Sequence, residues 1–327
     1  MRIVCLGELL LDMFASETGK DFSTVSAFLP VPGGAPANVA VAVSRLGIAS
    51  AFIGKVGDDP FGRKLAAVLA ENGVETGGML FDTAARTTLN FMTIPDVNTV
   101  VTFFYRNPGA DMLLRPEELD RGMIRGAQFF HFGSVSLTEE PCRSATLAAA
   151  RMAREAGVPV SFDVNYRASL WPVERALPPI RTALGLADIV KVNETELEML
   201  AGAGDTAVAC RALLEAGPRL CVATLGPRGS LWATREAHGA SKAFTVQAVD
   251  ATGCGDAFAA ALLCRLIGSG AGPQKGKAAW GRSLESDTLA ASVAYANAAG
   301  ALTATKKGVI PSLPFAREVE AFLEASR

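Results

Sequence analysis

The residues best suited to chemistry lie toward the C-terminal end of the chain. There Asp250, Thr252, Gly253, Cys254, Gly255 and Asp256 are followed by an apolar run from Ala257 to Cys264. Two glycines one residue apart let a backbone approach an anion closely and aim its N–H groups at it, and a helix beginning directly behind them adds the positive end of its dipole. The spacing predicts an anion hole at a helix N-terminus. Asp256 falls in the first helical turn, where the dipole favours the charged carboxylate, and it can accept a proton from a hydroxyl held beside a phosphate. Taken alone, the same residues also fit a glycine-rich turn into a buried helix with an ordinary N-terminal Asp.

Four further clusters fall at predicted strand ends, where an open α/β sheet binds ligands. Gly33, Gly34 and Asn38 lead into a helix. The paired glycines admit a polyol closely, and the Asn38 amide offers donor and acceptor, although Asn at a helix start also serves as a cap. Asp163, Asn165 and Arg167 alternate along a strand end and share a face while the strand lasts. Such a polar cluster is costly unless a ligand or partner satisfies it. Lys191, Asn193, Glu194 and Glu196 end a strand and open a helix, and the spacing of Asn193 and Glu196 fits a capping interaction as well as a Mg2+–water site. Thr224, Gly226 and Gly229 form a strand running into a glycine turn, suited to phosphate contact or merely to a hairpin.

The elements that must hold these clusters alternate. Strands are predicted over 3–6, 51–56, 129–132, 158–164, 189–192 and 220–225, and helices over 38–46, 64–70, 141–156 and 195–200. Parallel strands joined by helices follow from this order. Residues 12–32 and 87–105 break the pattern with short alternations rich in Phe, Thr and Val, which predicts antiparallel strands outside the main sheet, a small β lid over its C-terminal edge. Residues 268–281 carry Gly, Pro and Lys between two helices and read as a mobile surface loop. The 327 residues allow about two domains by length, though large α/β folds reach this size as one.

With 31 basic and 33 acidic residues the net charge is −2, which gives no electrostatic case for nucleic acid or an anionic membrane. A small neutral or lightly charged substrate fits better. Glu8 and Asp12 interrupt the N-terminus before a long apolar run develops, against a signal peptide, and no stretch approaches the roughly 20 apolar residues that span a bilayer. The six cysteines form no C-x-x-C pair, so free thiols in a cytosolic protein are expected. The two histidines, His131 and His238, are far apart, so a general base is expected to be a carboxylate. Cys254, at a helix N-terminus, would have a lowered pKa and be the most reactive thiol if its side chain is accessible; the competing reading is a side chain turned into the core and inert.

Five such clusters in this order resemble one family. Gly33, Gly34, Ala35, Pro36, Ala37 and Asn38 through Gly47 match the first signature of the PfkB (ribokinase-like) carbohydrate kinases, and Asp250 to Phe258 match the second. The resemblance runs from Gly7 to Pro314. Within the family the chain is most similar to the fructokinases, through residues 32–42, 104–114 and 305–311.

The resemblance implies an α/β fold, a three-layer α/β/α sandwich with a mostly parallel central sheet and a small β-strand lid, as a single kinase domain over 1–327 with lid segments near 12–32 and 87–113. It implies an ATP-dependent sugar kinase that transfers the γ-phosphate to the primary hydroxyl of a ketose, fructose to fructose 6-phosphate. Asp256 would be the base, with Gly253, Cys254 and Gly255 forming the anion hole. Cys254 replaces the family's usual Ala, a change that should be tolerated because the backbone N–H is what the hole uses. Asp12, Gly33, Gly34, Asn38, Tyr105, Arg106 and Arg167 would bind the sugar. Asn193, Glu196, Thr224, Gly226, Gly229 and Asn297 would bind ATP, with Glu196 reaching Mg2+ through water. Asp250 and Thr252 match a stretch that in many relatives helps hold a monovalent cation such as K+. Sugar and ATP are the expected partners, with a homodimer through the lid, as in relatives, and a cytoplasmic location.

2-Keto-3-deoxygluconate kinases share the Asn165-x-Arg167 pattern and a pair like Tyr105-Arg106, so that acid sugar is the alternative substrate, with ribose and nucleosides behind. A catalytically inactive, fructokinase-like binding protein is the alternative of a different class, but such proteins lose the base or a glycine of the hole. A nicotinamide dehydrogenase would need G-x-G-x-x-G after the first strand, where this chain has Gly7, Glu8, Leu9 and Leu10.

Overall fold

A computed structural model describes residues 2–96, 99–269 and 284–326. Most of the predicted surface loop at 268–281 lies outside them.

The first strand, β1 (Arg2–Leu6), sets the architecture. Ile3 and Cys5 pack into one apolar cluster and Val4 and Leu6 into another. Alternate side chains leave a strand on opposite faces, so a strand apolar on both must be covered by helices on both. It lies within a nine-stranded sheet in the order β13-β12-β11-β10-β9-β8-β1-β4-β5. The other members are β4 (Ala49–Gly57), β5 (Val74–Asp82), β8 (Phe129–Gly133), β9 (Val160–Asp163), β10 (Ile189–Asn193), β11 (Leu220–Thr224), β12 (Ser230–Ala233) and β13 (His238–Ser241). All neighbours are parallel except β11–β12 and β12–β13, which are antiparallel. One face carries α1 (Ala35–Arg45), α2 (Pro60–Glu71), α8 (Cys254–Gly268), α9 (Ser286–Ala304) and α10 (Ala316–Ala325). The other carries α3 (Arg121–Arg125), α4 (Cys142–Glu155), α5 (Val173–Leu184), α6 (Glu194–Ala201) and α7 (Thr206–Leu214). The result is the three-layer α/β/α sandwich.

A second sheet of four strands runs β3-β2-β6-β7, built from β2 (Leu10–Ala15), β3 (Phe28–Gly33), β6 (Leu89–Asp96) and β7 (Thr99–Tyr105). Its outer pairs are antiparallel as expected, but the central pair β2–β6 is parallel. Both strands leave the main sheet soon after a strand of the same direction, β1 and β5, and so arrive in the same sense.

Candidate active site

The site is built from α8 outward. Its N-cap, Gly253, has φ 82°, and a Cβ there would lie 2.6 Å from Val309 Cγ1. Only glycine takes this left-handed conformation without strain and also leaves that space free. Cys254, Gly255 and Asp256 form the first turn, whose N–H groups have no partners within the helix. The Cys254 N–H reaches back to Ala251 O at 3.3 Å, so those of Gly255 and Asp256 are the better anion donors.

Asp256 is 8% exposed, and its Oδ2 accepts the Asn38 Nδ2 at 2.8 Å. Asn38 sits inside α1, whose N-cap is Gly34, so it is not the cap of its helix. The carboxylate takes the NH2 end of the amide, which leaves the buried Asn38 Oδ1 with no partner. Burial pushes the Asp256 carboxyl up to about 6. The Asn38 hydrogen bond, Lys191 and Arg167 draw it down, and the Asp163 charge raises it. The low pKa expected from the helix dipole is therefore corrected: desolvation outweighs the dipole.

Asp12 and Asn90 stand side by side on β2 and β6, and Asn90 Nδ2 donates to Asp12 Oδ1 at 2.8 Å. Here too the buried amide Oδ1 is left unpartnered. Burial lifts Asp12 to about 6. The Asp12 carboxylate occupies the space a Cβ on Gly33 would need, and Gly34, with φ 107°, lies against the Glu8 carbonyl. Asp12, Gly34, Asn38, Asn90, Arg167 and Asp256 all line one cavity of about 920 Å³.

Strand alternation decides what the lid contributes. Val100, Thr102 and Phe104 face the cavity, whereas Val101, Phe103 and Tyr105 lie on the outer face. Tyr105 is 64% exposed and packs edge-on against Phe91 and Phe103, each at 5.3 Å. Its expected place at the substrate is corrected by parity. Arg106 is corrected as well. It does not line the cavity but is buried, donating through Nε to Asp111 Oδ2 at 2.7 Å, through Nη1 to Thr138 Oγ1 at 2.7 Å and through Nη2 to Val135 O at 3.3 Å. That network consumes the fork that was expected to reach the sugar.

The far end of the cavity is lined by Asn193, Thr224, Gly226, Gly229, residues 243–246 and 248, and Asn297. The glycine turn there is the hairpin the sequence allowed, joining antiparallel β11 and β12, and it also forms part of the cavity wall. Asn297 is tied to Ser230 Oγ and to the carbonyls of Ser241 and Lys242. Asn193 and Glu196 form a full capping box, with Glu196 Oε2 accepting the Asn193 N–H at 2.8 Å and Oε1 accepting the Tyr166 N–H at 2.7 Å. Beneath Gly255, Lys191 holds both oxygens of Asp163, at 3.0 and 2.8 Å. Asp250 is engaged locally by Thr252 and by the Gly308 N–H. Among the described residues no three His, Cys, Asp or Glu side chains gather as a metal site.

Burial, reinforced by Asp250 and Asp256, pushes the Cys254 thiol up to about 12, against the lowered value expected of a thiol at a helix N-terminus. Sequence reasoning also missed site residues. Asn90 gave no signal, because an Asn in a strand pairs with a carboxylate only through tertiary register. Glu8 was visible only as a charge after the first strand. The lining residues 243–246 and 248 carry no motif.

Known proteins share this fold and much of this sequence. The model of the pfkB family carbohydrate kinases matches residues 1–316. Fructokinase-1 of Zea mays is 47% identical over 326 residues, covering 98% of this chain and 97% of that protein. A crystal structure of fructokinase with bound ATP from Xylella fastidiosa superposes with a TM-score of 0.88 at 34% identity, covering 99% of this chain and 98% of that one. A fructokinase from Vibrio cholerae O395 in a fructose, ADP and calcium ion bound form gives a TM-score of 0.84 at 33% identity, covering 98% of each chain. The chain belongs to the pfkB family of carbohydrate kinases, and its fold is ribokinase-like. It is a phosphotransferase acting on a sugar hydroxyl.

Proposed function

We propose that this chain transfers the γ-phosphoryl group of ATP to the primary hydroxyl of fructose, giving fructose 6-phosphate. The observation that carries the substrate is the pair of orphaned amide carbonyls, Asn38 Oδ1 and Asn90 Oδ1, beside the carboxylates of Asp12 and Asp256. All are acceptors, so the complementary ligand is a donor, a chain of neighbouring hydroxyls. The 2-keto-3-deoxygluconate alternative drew on Asn165-x-Arg167 and on Tyr105-Arg106; Asn165 and Arg167 line the cavity, whereas Tyr105 and Arg106 do not, which removes half of its support. The fructose-bound and ATP-bound relatives supply the same pairing of ligands.

In this reading the sugar hydroxyl lies against Asp256. As its oxygen bonds to the γ-phosphorus and the bond to the β,γ-bridging oxygen breaks, Asp256 takes the hydroxyl proton and ADP departs. The transition state is loose, so alignment and charge stabilisation matter most. The N–H groups of Gly255 and Asp256 and the cations Arg167 and Lys191 serve the developing charge. Thr224, Gly226, Gly229 and Asn297 would hold the nucleotide.

Mg2+ would neutralise charge on the nucleotide phosphates. With Asp163 taken by Lys191 and Glu196 by backbone N–H groups, the residues suit a water-mediated ion carried by the nucleotide rather than direct ligation. A K+ site near Asp250 and Thr252 remains part of the proposal.

The lid's outer aromatic face suits a second copy of the chain. Free thiols support a reducing, cytoplasmic setting, and no described helix is long and apolar enough to cross a membrane. The test is incubation with fructose and ATP, following ADP release and assigning the product by NMR. Phosphorus coupling at C6 is expected; coupling at C1, or no product, overturns the reading.

A further inference from the structure

Glu8 is the one buried carboxylate of the cavity to which the foregoing chemistry gives no task. It follows β1, is 4% exposed and lines the cavity beside Gly34, Ala35 and Asn38. Its Oε1 accepts the Ala35 N–H at 3.0 Å and so satisfies one of the orphan donors at the start of α1. Its Oε2 is buried and has no partner.

A buried carboxylate oxygen left bare costs free energy unless something that comes and goes satisfies it. The other two unpartnered polar atoms of this cavity wall are Asn38 Oδ1 and Asn90 Oδ1, both in the region proposed for the sugar. We propose that Glu8 is a further substrate-binding residue: its Oε2 holds a sugar oxygen at the cavity wall, while its Oε1 keeps α1, and with it Asn38, in register.

This rests on the sugar-kinase reading of the site. Burial lifts the Glu8 carboxyl to about 7, with the backbone N–H groups of Glu8 and Ala35 and the Arg106 charge lowering it and Asp111 raising it. Near neutrality Oε2 therefore carries a proton part of the time and can serve as donor or as acceptor.

A role confined to capping α1 would make the same residue important for a different reason, so the test must separate them. Glu8→Ala and Glu8→Gln are compared with the parent across the sugar the parent phosphorylates best and analogues of it that each lack one hydroxyl. Glu8→Ala is expected to raise KM for the full sugar roughly tenfold to a hundredfold and KM for ATP less than about twofold. Glu8→Gln, which keeps the acceptor for Ala35, should raise the sugar KM by less. For one deoxy analogue, the parent and Glu8→Ala should have the same kcat/KM, because the missing hydroxyl is the one Glu8 holds. If every analogue loses the same factor in Glu8→Ala and in Glu8→Gln, the residue only supports the helix and the proposal is overturned. If the parent phosphorylates no sugar at all, it is the proposed function that fails.

Discussion

Asp256 is both the proposed proton acceptor and a carboxylate that the fold holds at a cost. Its pKa, raised to about 6 from an ordinary 3.8, means the folded protein binds its proton more tightly than the unfolded chain does. For an acid shifted upward, the stabilising contribution is greatest below the unfolded value. It is lost as pH rises from about 4 through about 6. At neutral pH the ionised group costs on the order of 2–3 kcal/mol. Two outcomes follow for Asp256→Asn, which removes the charge and keeps an acceptor for Asn38. The apparent Tm at pH 7.5 should rise by a few degrees, read by thermal denaturation. Turnover should fall by about 10²–10⁴-fold, read by ADP release.

In the parent, kcat/KM should decline as pH drops through about 6, where Asp256 takes up its proton; a profile flat down to pH 4.5 would remove it as the base. The two arginines that looked alike in sequence should now part. Arg106→Met strips Asp111 of its buried partner and should cost roughly 3–5 kcal/mol of stability. Arg167→Lys should leave Tm nearly unchanged while raising KM or lowering kcat, because the planar fork is lost. Their difference was not legible in the residue types, since only tertiary placement decides whether an arginine meets Asp111 or a cavity. The glycines, Asn38 and Asp256 were legible, because each belongs to a local turn whose geometry the sequence itself dictates.

At the level of elements, the N-terminus of α8 carries the proposed anion hole, and Gly253 is its left-handed N-cap. Gly253→Ala would require a Cβ against Val309 and a left-handed alanine, so it should both destabilise the protein by about 1–3 kcal/mol and cut kcat, measured by denaturation and steady-state kinetics. The alternating order of strands and helices gave the parallel sheet, because each strand's apolar run and each helix stop were local signals. What escaped was set by longer-range causes. α5 carries Pro178 and Pro179 inside it, residues that argue against a helix in sequence; Pro178 is exposed and Pro179 half-buried, and the helix is held by Ala176, Ile180, Ala183 and Leu184, which pack into the core. In the lid, the existence of strands was readable but their parity was not: one residue's shift in register moves Tyr105 from the cavity to the outer face. The parallel β2–β6 pairing likewise follows from how both strands leave the main sheet, which no local pattern reports.

The lid sheet presents an exposed aromatic face, where Phe22, Phe28, Phe91, Phe103 and Tyr105 stack on its outside with Val101 also exposed. A contiguous apolar surface of this kind on a sheet marks an interaction site, and the proposed occupant is a second copy of the chain. Phe103→Asp should then lower the sedimentation coefficient from that of a dimer to that of a monomer at micromolar concentration, and a parent that is already monomeric would remove the dimer. Beneath that sheet the cavity joins a wall of hydrogen-bond acceptors at one end to the glycine-lined end proposed for the nucleotide, with Asp256 between them. The central claim is that this wall selects a neutral ketose with neighbouring hydroxyls. It is tested most directly by kcat/KM at fixed ATP for fructose, 2-keto-3-deoxygluconate, ribose and a nucleoside. The account predicts fructose first by at least about tenfold over each of the others, the margin expected when acceptors built for hydroxyls are left unpaired; a higher value for the acid sugar would contradict it.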